Sequence, residues 1–65
     1  MKSYSSRELI KIVKTDGWEV VRIEGSHHIF KHKDKKGIIT IPHPKKDLPE
    51  KTVRSIFTQA GLSIQ

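Results

Sequence analysis

The sequence predicts an α+β fold in the order α-β-β-β-α, with a three-stranded antiparallel sheet and both helices on one of its faces. Apolar residues recur at helical spacing near both ends of the chain, the middle contains short runs of β-branched residues, and glycine or proline separates these runs. The short connections favour an antiparallel meander. Because a chain of 65 residues forms only a modest core, residues 1–65 are interpreted as a single small domain.

A first helix is predicted to begin near Ser6. Ser5 and Glu8 have the spacing of a capping box, in which each side chain bonds the backbone amide of the other residue. The helix is expected to end at Asp16-Gly17, because glycine readily adopts the left-handed conformation that terminates helices. The apolar residues of its buried face are Leu9, Ile10, Ile12 and Val13.

Three short strands are expected next. The first covers residues 18–23 and stops at a tight turn that contains glycine. The second covers residues 27–32, and a lysine-rich loop follows it. The third covers residues 37–41 and is expected to end at Pro42, since proline has no amide hydrogen for the strand ladder.

A second helix is predicted near the end of the chain. Asp47 and Glu50 have the spacing of another capping box, with Pro49 in the first helical turn and Gly61 as the terminator. Both helices are expected to cover the same sheet face, which leaves the other face open to a ligand or partner. The apolar residues of this helix are Val53, Ile56, Phe57 and Ala60.

The charge of the chain is strongly positive, with 13 Lys and Arg against 7 Asp and Glu and a formal net charge of +6. This indicates a polyanionic partner, nucleic acid first, although an anionic membrane, an acidic protein or simple solubility would also account for it. The absence of cysteine excludes disulfides and thiolate zinc sites. No apolar run reaches the roughly 20 residues that span a bilayer, and the first residues do not resemble a signal peptide. A soluble, cytoplasmic protein is expected.

The histidines are the side chains that titrate nearest neutral pH, and three of them lie on the second predicted strand. Strand side chains alternate between faces, so His27 shares a face with Ile29 and Lys31. If Phe30 faces the helices, His27 faces outward. The other histidines, which are interpreted as structural or surface residues or left without a role, are His28, His32 and His43.

The start of the second strand is the candidate catalytic site. A strand fixes the direction of the His27 imidazole, and Gly25 beside it allows a substrate backbone to approach closely. Arg22 or Lys31 would hold a phosphate there, and the Ser26 hydroxyl would donate to a phosphate oxygen or cap the turn. The alternative is that His27 is an ordinary polar residue on a solvated sheet face.

Other chemistries find less support in the sequence. His28 and His32 are four residues apart on a strand, about 13 Å along its axis, which is too far for two ligands of one ion. No metal site and no cofactor is therefore predicted, and no serine-hydrolase set surrounds Ser26. Lys45 and Lys46, just before the second helix, are interpreted either as phosphate contacts or as a solvated charge run.

The sequence from about Ser6 to Leu62 closely resembles the HicA family of toxin–antitoxin systems. One departure is Lys51, where many members have glycine, and it lies away from the candidate site. The segments that carry the resemblance, in order, are Asp16-Gly17-Trp18, Arg22 with Gly25-Ser26-His27-His28, Ile41-Pro42-His43-Pro44, Val53-Arg54-Ser55-Ile56 and Gln59-Ala60-Gly61-Leu62.

The resemblance implies a fold like that of the double-stranded-RNA-binding domain and the activity of a metal-independent endoribonuclease. Proteins of this family cleave mRNA and arrest growth until a HicB-like antitoxin binds them and covers the active site. Their catalytic histidine directly follows Gly-Ser, which is His27 here. Two alternatives remain open: a non-catalytic RNA-binding domain of the same fold, and an interaction module for an acidic partner.

Overall fold

The computed structural model describes residues 3–63, and its elements follow the predicted order α-β-β-β-α, which confirms the fold class. The helices and strands are α1 (Ser6–Asp16), β1 (Trp18–Glu24), β2 (His27–His32), β3 (Ile39–Pro42) and α2 (Glu50–Ala60).

The predicted capping box begins α1. The Ser5 hydroxyl accepts the Glu8 amide at 3.1 Å, and the Glu8 carboxylate accepts the Ser5 amide at 2.9 Å. Two amides that would otherwise lack partners at the start of the helix are thus satisfied. At the other end, Gly17 has a φ of 110°, in the left-handed region, and its amide bonds the carbonyls of the last helical turn.

The sheet has the strand order β1-β2-β3, and both pairs are antiparallel. A two-residue turn joins β1 to β2, so that Glu24 lies directly opposite His27. β1 extends one residue further than predicted and contains a β-bulge between Val20 and Arg22, where Val21 has no counterpart on β2. Sequence alternation did not predict the bulge, because an extra strand residue leaves no trace in residue type.

The prediction for β3 was wrong at both ends, since the strand begins at Ile39 and includes Pro42. Gly37 and Ile38 belong to the preceding loop. Pro42 is tolerated because β3 lies at the edge of the sheet, where one side of each strand needs no ladder partner.

The predicted second capping box was also wrong. The residue that caps α2 is Pro49, which has no side-chain acceptor, and the Glu50 carboxylate instead binds Arg54 at 2.9 Å. The approach to α2 is fixed by a distant contact, because the buried Leu48 donates its amide to the Tyr4 carbonyl at 2.9 Å. A tertiary hydrogen bond thus takes the place of a local cap.

Both helices cover the same face of the sheet, as predicted. Phe30 is fully buried on that face, between Val20 on β1 and Ile39 on β3. Alternation along β2 therefore places His27 on the opposite, open face. The core residues come from both helices, all three strands and two connecting segments: Tyr4, Leu9, Val13, Trp18, Phe30, Ile39, Ile41, Leu48, Val53, Ile56, Phe57 and Ala60.

Lys35, in the loop between β2 and β3, joins the carboxyl ends of the two helices. Its ammonium donates to the Asp16 carboxylate at 2.6 Å and to the Ala60 carbonyl at 2.9 Å. The hydrogen bond from Lys35 is the main cause that lowers the pKa of Asp16 below its usual 3.8. Lys35, one of the lysines in the loop after β2, thus has a structural role.

His32 is also structural, as predicted. The Asp34 amide donates to Nδ1 at 2.9 Å, so Nε2 carries the proton of the neutral ring and donates to the Asp16 carbonyl at 2.8 Å. The ring packs edge-on against Trp18, with centroids 5.3 Å apart. A Cβ placed on Gly17 would lie 2.7 Å from His32 Nε2, so a side chain there would displace the ring.

Asp16→Asn is expected to destabilise the protein at neutral pH and progressively less in acid. Because the folded pKa is depressed, the carboxylate contributes stability above its unfolded pKa, and this contribution is lost as the pH falls through the folded pKa, below 3.8. Urea unfolding from neutral to acid pH measures it. Asp47→Asn, at an exposed position, is the control for removal of one negative charge. An equal pH dependence in both variants would contradict the role of Lys35.

Gly17→Ala is expected to destabilise the protein by more than the roughly 1–2 kcal/mol that a left-handed backbone costs an alanine. The excess comes from the collision with His32. Gly37→Ala is the matched control, because Gly37 also has a positive φ, 83°, but a Cβ placed on it would have open space around it. Thermal and urea unfolding compare the two variants, and equal losses of stability would show that the His32 ring adds no penalty at Gly17.

Candidate active site

His27 begins β2 on the open face of the sheet, with strands on both sides. Its neighbours across the sheet are Glu24 on β1 and Pro42 on β3. The side chain is exposed, and the imidazole has no hydrogen-bond partner within residues 3–63. A central strand holds its backbone in place, while both ring nitrogens remain available to a ligand.

The Gly25-Ser26 turn beside His27 is bonded to the segment after β3 on one side and has open space at Gly25. Gly25 has a φ of 58°, and no atom outside its chain neighbours lies within 4 Å of a Cβ placed there. Glycine at the first central position is typical of tight two-residue hairpins. The Ser26 carbonyl accepts the His43 amide at 2.7 Å, which ties the turn to the segment after β3.

Arg22 lies closer to His27 along the sheet than Lys31, the other cation predicted to hold a phosphate there. Its partner on β2 is Ile29, two residues or about 7 Å along the strand from His27. The guanidinium pairs with Glu24 at 3.1 Å, and both side chains are more than half exposed. Ion pairs this exposed contribute only about 0–1 kcal/mol, so a phosphate can readily replace Glu24 as the partner of Arg22.

Glu24 was not singled out in the sequence, although it faces His27 directly. The sequence could have predicted this position, because a two-residue turn places the residues on either side of it opposite each other. Its carboxylate adds negative charge beside the imidazole, which the neighbouring Arg22 partly offsets.

Lys31 lies further away than the sequence interpretation supposed. It is four residues from His27 on the same strand, about 13 Å along its axis. Ile29, between them, is nearly buried although it faces away from the helices. Lys31 lines a depression on the open face that reaches the site only through Arg22; the other lining residues are Val21, Ile29 and Ile38.

Lys45 and Lys46 lie on the other side of the sheet from His27, beside the start of α1. The buried Ser6 organises this segment: its hydroxyl lies 2.7 Å from His43 Nδ1 and accepts the Lys45 amide at 2.9 Å. The His28 ring packs edge-on against His43, with centroids 4.9 Å apart. His43 is thus a structural residue, and His28 is half-buried beside it.

The described side chains include no cluster that could hold a metal ion. Among residues 3–63, no three His, Cys, Asp or Glu side chains are grouped closely enough to hold a metal ion. In the same part of the chain, neither helix has the length and apolar character needed to cross a membrane.

The fold and the site define a class of small α+β proteins that expose a strand-borne histidine on the open face of a basic domain. Within that class, the chain belongs to the HicA toxin family of bacterial toxin–antitoxin systems, because the model of this family matches residues 6–62. A comparison with curated protein sequences gives no match.

Two solved structures support the assignment. A chain of a toxin–antitoxin complex from Streptococcus pneumoniae is 32% identical with a TM-score of 0.73, covering 89% of this chain and 97% of that chain. A chain of the HicA3 and HicB3 toxin–antitoxin complex is 29% identical with a TM-score of 0.79, covering 95% of this chain and 100% of that chain.

Ser6→Ala is expected to destabilise the protein by about 1–3 kcal/mol, because the Lys45 amide loses its acceptor inside the fold. Urea unfolding measures the change in stability, and hydrogen exchange at the Lys45 amide is expected to accelerate. Ser55→Ala, at an exposed serine of α2, is the control and is expected to change stability by less than about 0.5 kcal/mol. Equal stability of the two variants would show that the Ser6 hydroxyl does not fix this segment.

Proposed function

We propose that this protein is the toxin of a type II toxin–antitoxin system and an endoribonuclease that cleaves mRNA with His27 as its catalytic residue. The observation that carries the proposal is the setting of His27: an exposed imidazole with no protein partner within residues 3–63, on a central strand, beside a turn with open space above it. Membership of the HicA toxin family supports the same assignment.

One imidazole is sufficient because RNA supplies its own nucleophile. A base removes the proton of the 2′-hydroxyl, the oxygen attacks the adjacent phosphorus, the bond to the 5′-oxygen breaks, and that oxygen takes up a proton. The products are a 2′,3′-cyclic phosphate and a free 5′-hydroxyl. His27 moves a proton in this sequence, and no covalent enzyme intermediate and no metal ion is required.

Arg22 would stabilise the negative charge that develops on the phosphoryl oxygens. Its guanidinium donates in a planar fork that matches two phosphate oxygens. Releasing Glu24 costs little, since that ion pair is exposed to water. Ser26 and Gly25 would line the approach of the RNA backbone, and Lys31 would contact a phosphate further along the strand.

A HicB-like antitoxin is the proposed protein partner. Both similar solved structures are toxin–antitoxin complexes. The open face also has the mixed character of a protein interface, because Val21 and Ile38 are exposed there beside the cations Arg22 and Lys31. An antitoxin bound over this face would cover His27 and prevent RNA from reaching it.

His27→Ala is expected to reduce RNA cleavage by about 10²- to 10⁴-fold, the usual contribution of a general acid or base. Stability is expected to change by less than about 0.5 kcal/mol, because the side chain is exposed. The assay uses single-stranded RNA, partner-free protein and EDTA, and it identifies the new RNA ends. Thr40→Ala, at another exposed strand position, is the control and is expected to keep full activity.

Each outcome of this assay separates the candidate functions. Cleavage by a folded His27→Ala protein would refute the catalytic assignment, and cleavage that EDTA abolishes would refute the metal-free mechanism. RNA binding without cleavage by either protein would instead identify a non-catalytic RNA-binding domain.

A further inference from the structure

A second basic site lies beside the start of α1, away from the open face. It is a depression lined by Ser6, Arg7, His43, Pro44, Lys45 and Lys46. No carboxylate lines it, and within residues 3–63 none of its three permanently charged side chains forms an ion pair. Three cations elsewhere in the protein, Arg22, Lys35 and Arg54, each bind a carboxylate instead.

The backbone of this site is fixed rather than loose. The Ser6 amide donates to the Lys45 carbonyl at 2.9 Å, and the Lys45 amide donates to the Ser6 hydroxyl at 2.9 Å. The same hydroxyl, in a residue that is 1% exposed, holds His43 through Nδ1 at 2.7 Å. The opposite ring nitrogen, Nε2, is therefore the one that remains for a ligand, and the lysines project from a set position.

We propose that this depression binds a backbone phosphate of the RNA, with Arg7, Lys45, Lys46 and His43 Nε2 as its contacts. This inference rests on the proposed function, because it takes RNA as the substrate. Arg7 supplies planar paired donors, and the two lysines supply point charges. A site with several unpaired cations and no carboxylate suits one compact anion with several oxygen acceptors.

The position of the depression matches a path for RNA that also passes His27. His43 directly follows Pro42, the partner of His27 on β3, and its amide binds the Ser26 carbonyl at 2.7 Å. The two sites thus lie at the same end of the sheet, on opposite sides, with the Gly25-Ser26 turn between them. An RNA backbone crossing this turn meets no side chain at Gly25.

RNA fits this depression better than an acidic protein does. Protein interfaces are commonly anchored by Trp, Tyr or Arg in central pockets, and this lining has no Trp or Tyr and, apart from Pro44, no apolar residue. The exposed apolar residues Val21 and Ile38 lie on the open face instead. The two surfaces therefore differ in chemistry, one suited to a phosphate and the other to a protein.

The test compares two double variants, each made in the His27→Ala background so that RNA is bound without being cut. Arg7→Gln with Lys45→Gln removes two charges from the depression, and Lys33→Gln with Lys36→Gln removes two from the loop after β2. Affinity for a short single-stranded RNA is measured over a range of salt concentrations, and inorganic phosphate at constant ionic strength is tested as a competitor.

The depression variant is expected to bind RNA at least about tenfold more weakly. Its plot of log affinity against log salt is expected to flatten by about 0.7 for each phosphate that the protein no longer neutralises. The loop variant is expected to match the parent in both. Inorganic phosphate is expected to compete only at concentrations far above those of RNA, because it occupies one site whereas RNA occupies several.

Equal effects of the two double variants would overturn the inference, as would loss of antitoxin binding with unchanged RNA binding. Its failure is distinguishable from failure of the proposed function. If the unmutated protein cleaves RNA and the depression variant binds RNA as well as its His27→Ala parent, the ribonuclease assignment stands and the phosphate site is refuted. If RNA binding depends on the depression but the unmutated protein does not cleave RNA, the phosphate site stands and the ribonuclease assignment is refuted. Absence of any RNA binding overturns both.

Discussion

The constraint on which this structure depends is that 65 residues can cover only one face of a three-stranded sheet. Both helices pack against that face, so alternation along β2 divides its side chains into two groups. Phe30 and His32 face the helices, where Phe30 packs in the core and His32 is hydrogen-bonded to the end of α1. His27 faces water, where no packing requirement restricts its chemistry. The division between packed and solvent-exposed residues follows from the backbone period of the strand.

The positive charge of the protein is divided in a similar way. Lys35 is part of the fold, since it joins the ends of both helices through Asp16 and Ala60. Arg54 pairs along α2. Arg7, Lys45 and Lys46, which share a depression beside the start of α1, form no ion pair within residues 3–63 and remain available to an anion.

Sequence patterns correctly predicted the features that depend on interactions between residues close together in the chain. The capping box of Ser5 and Glu8, the strand assigned to residues 27–32 and the outward face of His27 all followed from spacing within a few residues. Interactions between distant residues were missed: Ser6 meets His43 across 37 positions, and Leu48 bonds Tyr4 where a cap at Asp47 was expected. For the same reason, the sequence did not predict that Lys45 and Lys46 lie on the other side of the sheet from His27. Sequence spacing does not indicate on which side of a sheet a loop lies.

The β-bulge in β1 bears on how the protein behaves when nothing is bound to it. β1 is an edge strand with several exposed apolar side chains, a combination that invites another chain to add to the sheet and start aggregation. The extra residue at Val21 interrupts the even row of amides and carbonyls that an incoming strand would have to match. The bulge therefore makes the exposed edge of β1 a poorer template for another strand than its apolar side chains alone would suggest.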